Sequence, residues 1–167
     1  LIGKLAEMRP DWQLVLIGPV VKIDPEILPK AENIHYLGSK TYLELPEYLS
    51  GWDVALIPFL INESTQFISP TKTPEYLAAG IPVVSTPIKD VVRPYGDNNL
   101  VHIASTAEEF AKAIDGELKA DKGRWQESVD EFLMQNSWDL TCSKMLMQIE
   151  LVLKKTMQKD QITISTI

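Results

Sequence analysis

A chain of 167 residues with a net charge of −7 is long enough for one domain with its own core, and it carries no surplus of Lys and Arg with which to hold nucleic acid by charge alone. Its residues are 45% hydrophobic and 23% charged, the balance of an ordinary folded domain, and no apolar run approaches the roughly 18 residues of a membrane span. Cys142 is the only cysteine, so no internal disulfide can form, which fits a reducing cytoplasm, and the first ten residues lack the pattern of a secretory leader.

Taken in chain order, Leu1–Met8 has helical spacing and no strand before it. Gln13–Gly18 reads as a strand, followed by further strands at Asn33–Gly38, Asp53–Pro58, Ile81–Thr86 and Leu100–Ala104. Each is short, rich in Val, Ile and Leu, and apolar on both faces, as parallel strands are when helices cover both sides. Between them lie helical stretches. Tyr42–Ser50 puts Leu45 and Leu49 on one face, with Pro46 either kinking it or sitting in its first turn. A helix ending at Ala79 stops at Gly80, a natural left-handed terminator. Thr106–Leu118 opens with Thr106 and Glu109 in a capping box, and Ser137–Lys155 is the longest helix. The alternation predicts an α/β domain over residues 1–158 with a mainly parallel sheet between two helical layers. The tail, residues 159–167, contains the alternating Gln161–Ile167, either a frayed end or a strand that pairs with an open sheet edge.

Ser69–Thr86 carries the most chemistry: loop, helix, tight turn, strand. Ser69 can cap the helix and Pro70 suits its first position. Thr71, Lys72 and Thr73 then offer unpaired N–H groups at a helix start, and Lys72 adds a mobile cation, so that together they can cradle phosphate. Glu75, one turn in, can accept hydrogen bonds from both hydroxyls of a ribose. A capped helix with a surface Lys and Glu fits the same residues. Pro74 opens a second registration: with Thr73 as the cap, the free amides shift to Glu75 and Tyr76.

The run Glu75-Tyr-Leu-Ala-Ala-Gly-Ile-Pro-Val-Val84 resembles the donor-binding motif of GT-B-fold glycosyltransferases, especially the retaining group called family 4. Ser69-Pro-Thr-Lys72 before it is similar to a bacterial envelope-polysaccharide subgroup. Arg9-Pro-Asp-Trp12, Ile17-Gly18-Pro19, Asn33–Gly38, Asp53–Pro58 and Ser137-Trp138 extend the likeness over residues 1–155. The resemblance implies one Rossmann-like half of a GT-B fold. Glu75 would bind the nucleotide ribose, and Ser69, Thr71 and Thr73 would face the diphosphate with Lys72, which would also stabilise its departure as the catalytic cation. It implies a nucleotide-sugar donor, most naturally a UDP-sugar, as substrate, with no separate cofactor; the sequence shows no acidic cluster to hold a metal, so none is expected. The acceptor would sit on an N-terminal domain absent from this chain, which alone is expected to be inactive. The setting it implies is cytoplasmic, at the inner face of the membrane.

Three departures stand out. Phe67 occupies the position, eight before Glu75, where the family often has an acidic residue; Glu63 and Gln66 are polar but out of register. Pro74 interrupts a helix capped at Ser69. The family's first strand and its phosphate-contacting loop are missing, which in the usual Rossmann order leaves either a gap in the sheet or a sheet that closes up. A binding domain without catalysis, or a nucleotide-sugar epimerase of the same fold, would share most of these features.

His35 and His102 stand alone in strands, without a second ligand at metal spacing, and read as strand residues. Cys142 has no His partner and reads as a packed thiol. Trp12, Trp52, Trp125 and Trp138 are dispersed and read as core or boundary residues.

Overall fold

The computed structural model describes residues 1–65 and 67–164, with residues 156–164 described by their helical backbone. The chain divides into two units, Leu1–Val129 and the stretch from Asp130 onward. In order, the elements are α1 (Ile2–Met8), β1 (Leu14–Leu16), β2 (Ile34–Tyr36), α2 (Leu45–Leu49), β3 (Ala55–Ile57), α3 (Lys72–Ala78), β4 (Val83–Ser85), α4 (Lys89–Val91), β5 (Val101–Ile103), α5 (Ala107–Glu117), α6 (Gly123–Met134) and α7 (Trp138–Ile164).

All five expected strands form, each trimmed to three residues, and all pair in parallel. They make two sheets, β2-β1 and β3-β4-β5, with no ladder between β1 and β3. Of the two outcomes expected for a sheet without its first strand, the gap is the one present.

Alternation along the strands assigns each side chain to a face. Leu14, Ile34 and Val84 point to one side, where they form a continuous core with Leu5 and Ala6 of α1 and Phe110, Ala111 and Ile114 of α5. Phe110 is fully buried there, worth about 1.5–3 kcal/mol by area removed from water. Ala55, Ile57, Val83 and Ser85 point to the opposite side and are buried too; α3 packs on β4 there, with Leu77 and Thr73 wholly covered. Helices on both faces of parallel strands make this unit a Rossmann-like α/β domain.

Local chemistry explains the element ends. Thr106 Oγ1 accepts the Glu109 amide at 3.2 Å while the Glu109 carboxylate accepts the Thr106 amide at 3.3 Å, the reciprocal box expected from the sequence. At the end of α3, Gly80 takes φ 73°; its amide donates to Leu77 O at 2.9 Å and the Ile81 amide to Tyr76 O at 3.0 Å. Those two bonds are a Schellman closure, and the left-handed residue they need is why glycine stands there. The buried Asn33 ties α1 to the strands: its Nδ2 reaches Ala6 O, Arg9 O and Trp12 O at 3.3, 3.1 and 3.1 Å. Pro46 lies in the first turn of α2, the second of the two placements its sequence allowed.

Three readings change. Helix α6 was not foreseen. The strand-like alternation at the tail does not make a strand over residues 161–164, which continue α7, because the preceding residues carry an unbroken helix into them; residues 165–167 lie outside the described residues. Cys142 is exposed in the second unit, so it is not the packed thiol expected, and Trp138, 83% exposed, is not a core residue. Trp12, Trp52 and Trp125 are half-buried, and Trp125 donates to Leu100 O at 3.2 Å.

Candidate functional site at the carboxyl edge of the strands

Parallel strands with helices on both faces leave their carboxyl ends as the place where loops can converge on a ligand. In the first unit a cavity of about 1080 Å³ runs along β1 and β3, from Gln13 and Asp53 to these ends at Gly18 and Pro58. Its polar wall includes Lys40 and Tyr42 from the segment after β2, Trp52 before β3, and Lys72, Glu75 and Tyr76 from α3. A smaller hollow of about 280 Å³ lies alongside, lined by Pro58, Phe59, Ser69, Pro70 and Thr71. Lys72 and Tyr76 line both.

The start of α3 differs from the expected one, and Pro74 is the reason. A cap at Ser69 would have put Pro74 where the helix needs an N–H; the helix instead begins at Lys72, with Thr71 as the boundary residue, so Pro74 falls in the first turn where a missing N–H costs no intrahelical bond. Neither Ser69 nor Thr73 is the cap, and Thr71 makes no side-chain capping bond. The Thr73 amide donates to Pro70 O at 3.2 Å and its side chain is wholly buried, so Thr73 lies beneath the cavity wall rather than on it. Its Oγ1 has no hydrogen-bond partner among the described residues. Ser69, Thr71, Lys72 and Glu75 are exposed, and these four are the expected site residues that the fold brings to the two hollows.

Lys72 and Glu75 face each other one turn apart, Nζ to Oε2 at 2.7 Å, with side chains 50% and 45% exposed. The hydrogen bond that Lys72 donates to the Glu75 carboxylate raises the Lys72 pKa above its ordinary value, so the ammonium is charged at neutral pH. An ion pair this exposed is worth at most about 1 kcal/mol, weak enough for an arriving anion to take Lys72 and leave Glu75 free to accept hydroxyls. Lys40 supplies a second cation; its Nζ lies 5.2 Å from the Tyr48 ring, and contact with Tyr48 and, to a lesser degree, the charge of Glu44 also raise its pKa.

Sequence reasoning missed Tyr76 and Trp52 as site residues. Their rings meet at 6.0 Å and 55°, a tilted aromatic pair on the cavity wall. Burial pushes the Tyr76 phenol up, so it stays protonated and able to donate. Their signal was position: Tyr76 follows Glu75 directly, and Trp52 closes the turn into β3. Phe67 is 74% exposed, and Gln66 lies outside the described residues. His35 and His102 stay apart from the cavity, each bonded through Nε2 at 2.6 Å, to Gln13 and Glu117 respectively.

Among the described residues no helix is long and apolar enough to cross a membrane. Over 89 residues the chain is 30% identical to a putative teichuronic acid biosynthesis glycosyltransferase, TuaH, of Bacillus subtilis (strain 168); the match takes in 52% of this chain and 22% of that protein. The family model for glycosyl transferases group 1 matches residues 1–119, which contain every strand, both hollows and the Lys72–Glu75 pair. By that match and by its Rossmann-like fold, the chain belongs to the group 1 glycosyltransferases, as a domain of GT-B type.

Proposed function

We propose that this chain is the donor-binding domain of a transferase that moves a sugar from a nucleotide-sugar, a UDP-sugar by preference, to an acceptor in cell-envelope polysaccharide synthesis. The observation that carries it is the Lys72–Glu75 pair at the mouth of the cavity, a cation and a carboxylate spaced one helical turn apart. A cation can meet a diphosphate while a carboxylate accepts hydrogen bonds from the hydroxyls of the attached ribose. The envelope setting draws support from the printed name of the Bacillus relative.

In the proposed mechanism Glu75 accepts hydrogen bonds from the ribose hydroxyls. Lys72 leaves Glu75 and meets the diphosphate, with Ser69 and Thr71 adding polar contacts from the neighbouring hollow. As the bond from the sugar's anomeric carbon to the diphosphate breaks, negative charge grows on the leaving oxygen and Lys72 stabilises it. The nucleotide-sugar is a substrate, no cofactor is required, and the charge of the diphosphate is met by Lys72 rather than by a bound metal. The acceptor would be held by a further domain. The proposed setting is the cytoplasm, at the inner face of the membrane.

Calorimetry with UDP and UDP-sugars on the full-length protein tests this. Glu75→Ala is expected to weaken nucleotide binding by about 1.5–3 kcal/mol, roughly ten- to a hundredfold, and Glu63→Ala far less. Equal affinities for the two variants would remove the ribose role from Glu75. A second reading, binding without transfer, draws on Phe67, where an acidic residue would face the donor sugar. Tight UDP-sugar binding by a full-length protein that turns over no donor would favour it.

A further inference from the structure

The two hollows share Lys72 and divide the residues around it. Glu75 lines the large cavity alone, Lys72 lines both, and Ser69 and Thr71 line the small hollow alone. Along the wall this makes a carboxylate, then a cation, then two hydroxyls. A nucleotide-sugar carries its parts in a matching order: ribose, diphosphate, sugar. With Glu75 on the ribose and Lys72 on the diphosphate, the sugar beyond the diphosphate falls to the small hollow. The chemistry of that wall then decides which sugar fits, a step that rests on the donor reading above.

The wall is mainly apolar. Leu56 and Ile57 close β3, Pro58 and Phe59 follow them, and Pro70 stands between Ser69 and Thr71. Lys72 is the one charged residue lining it, and no carboxylate does. A hexose hydroxyl set against such a wall loses its water and finds few partners. A uronate carboxylate would lose more, since the single cation is already on the diphosphate. What the wall can cover is a methyl group, which gains by leaving water. Phe59 is 39% exposed, so its ring is covered in part and still open to a ligand. The polar share of the wall comes from Ser69 and Thr71, both exposed, and Thr71 makes no side-chain capping bond. A hydroxyl has one donor and two acceptor positions, so one that donates to a phosphate oxygen still accepts from a neighbouring amide N–H.

We propose that the small hollow selects a 2-acetamido sugar as the group transferred, with Phe59 as the residue that determines this specificity. The acetamido methyl packs on Phe59 and the adjoining prolines, Pro58 and Pro70. Its amide N–H and C=O meet the hydroxyls of Ser69 and Thr71. An unsubstituted hexose puts a hydroxyl where the methyl would go, and a 6-deoxy sugar brings a methyl without the amide.

The test is calorimetry on the full-length protein with UDP, UDP-N-acetylglucosamine, UDP-glucose and UDP-glucuronic acid. One buried methyl and one or two added hydrogen bonds should make UDP-N-acetylglucosamine bind about tenfold more tightly than UDP-glucose, with UDP-glucuronic acid weakest. Phe59→Ala is expected to bring the tenfold ratio below about threefold. Saturation-transfer NMR on the unmutated protein locates the contact independently of any variant: the acetyl methyl should receive more saturation than the ring protons of the same sugar. UDP that binds while UDP-glucose equals or exceeds UDP-N-acetylglucosamine would overturn this inference and leave the donor reading standing. A ratio unchanged in Phe59→Ala, or an acetyl methyl that receives less saturation than the sugar ring, would overturn it too. Failure of UDP itself to bind would remove the donor reading, and this inference with it.

Discussion

β4 and β1 are made of the same kind of residue and meet opposite fates. Val83, Val84 and Ser85 are 1%, 0% and 0% exposed, with β3 and β5 bonded on either side. In β1, Leu14 is buried but Val15 is 36% exposed and Leu16 only half-covered, with a neighbour on one side alone. Apolar alternation or its absence tells which faces of a strand are meant to be covered; whether they are depends on the strands beside it. The stability of the first unit should therefore concentrate where β4 meets α5 and thin out toward the gap. The candidate site joins the two sides: helix α3 is anchored on β4 through the wholly buried Leu77 and Thr73, while Lys40 and Tyr42 come from the segment after β2, beside the gap.

The comparison breaks first at its strongest point. Phe110 of α5 is wholly buried in the core cluster with Val84. Phe110→Ala is expected to cost about 3–5 kcal/mol, through lost transfer energy and the cavity left behind, and to lower the urea midpoint accordingly. A loss under about 1 kcal/mol would mean that this region is not the centre of the core.

A matched pair of smaller truncations sharpens it. Val84→Ala removes two buried carbons and is expected to cost about 2 kcal/mol. Val15→Ala removes the same two carbons from a partly exposed site and is expected to cost under about 0.5 kcal/mol in the 167-residue chain. Equal costs would show that β1 is covered as completely as β4, against the open gap.

Much of this could be read from the sequence. The five strands, their parallel sense, the Thr106–Glu109 box and the Gly80 turn all follow from local chemistry, because each is set by residues within a few positions of one another. The start of α3 was less legible, since Ser69, Thr71 and Thr73 all suit a cap and only the placement of Pro74 in three dimensions decides among them. The burial of Thr73 was hidden for a similar reason: in a helix start, the face that meets the sheet is fixed by where the helix begins. Helix α6 could have been found; Trp125, Val129 and Leu133 recur at helical spacing behind Asp121, whose carboxylate accepts the Gly123 amide at 3.1 Å. Trp52 and Tyr76 as a pair were not legible, being 24 positions apart and joined only by the fold.

The turn from α3 into β4 gives the next prediction, because it fixes how the site helix meets the strongest strand. Gly80 has φ 73°, and a Cβ there would lie 3.1 Å from Gln126 Oε1, the end of a side chain that can move aside. The cost of Gly80→Ala is therefore mostly backbone, about 1–2 kcal/mol. In a chain of this length that is a fall in melting temperature of roughly 2–8 °C. A neutral Gly80→Ala would show that the left-handed turn is not what anchors α3.

The smallest effect lies on the helix beside the gap. Lys4 of α1 and Glu108 of α5 meet at 2.5 Å, with side chains 59% and 57% exposed. The bond from Lys4 is the chief reason the Glu108 carboxyl is held down to about 2, with its own backbone amide and Thr106 adding less. A carboxyl whose pKa is lower folded than unfolded adds stability above its ordinary value of 4.5 and loses it as pH falls toward about 2. Lys4→Ala should therefore raise the Glu108 midpoint, read by carbon NMR of the carboxyl, and reduce stability slightly at neutral pH but not in strong acid. High salt should shrink the difference, since both groups are solvent-exposed. A Glu108 midpoint unmoved in Lys4→Ala would assign the depression to the helix start instead, and leave α1 joined to α5 by Arg9–Asp115 and the buried Leu5 and Ala6.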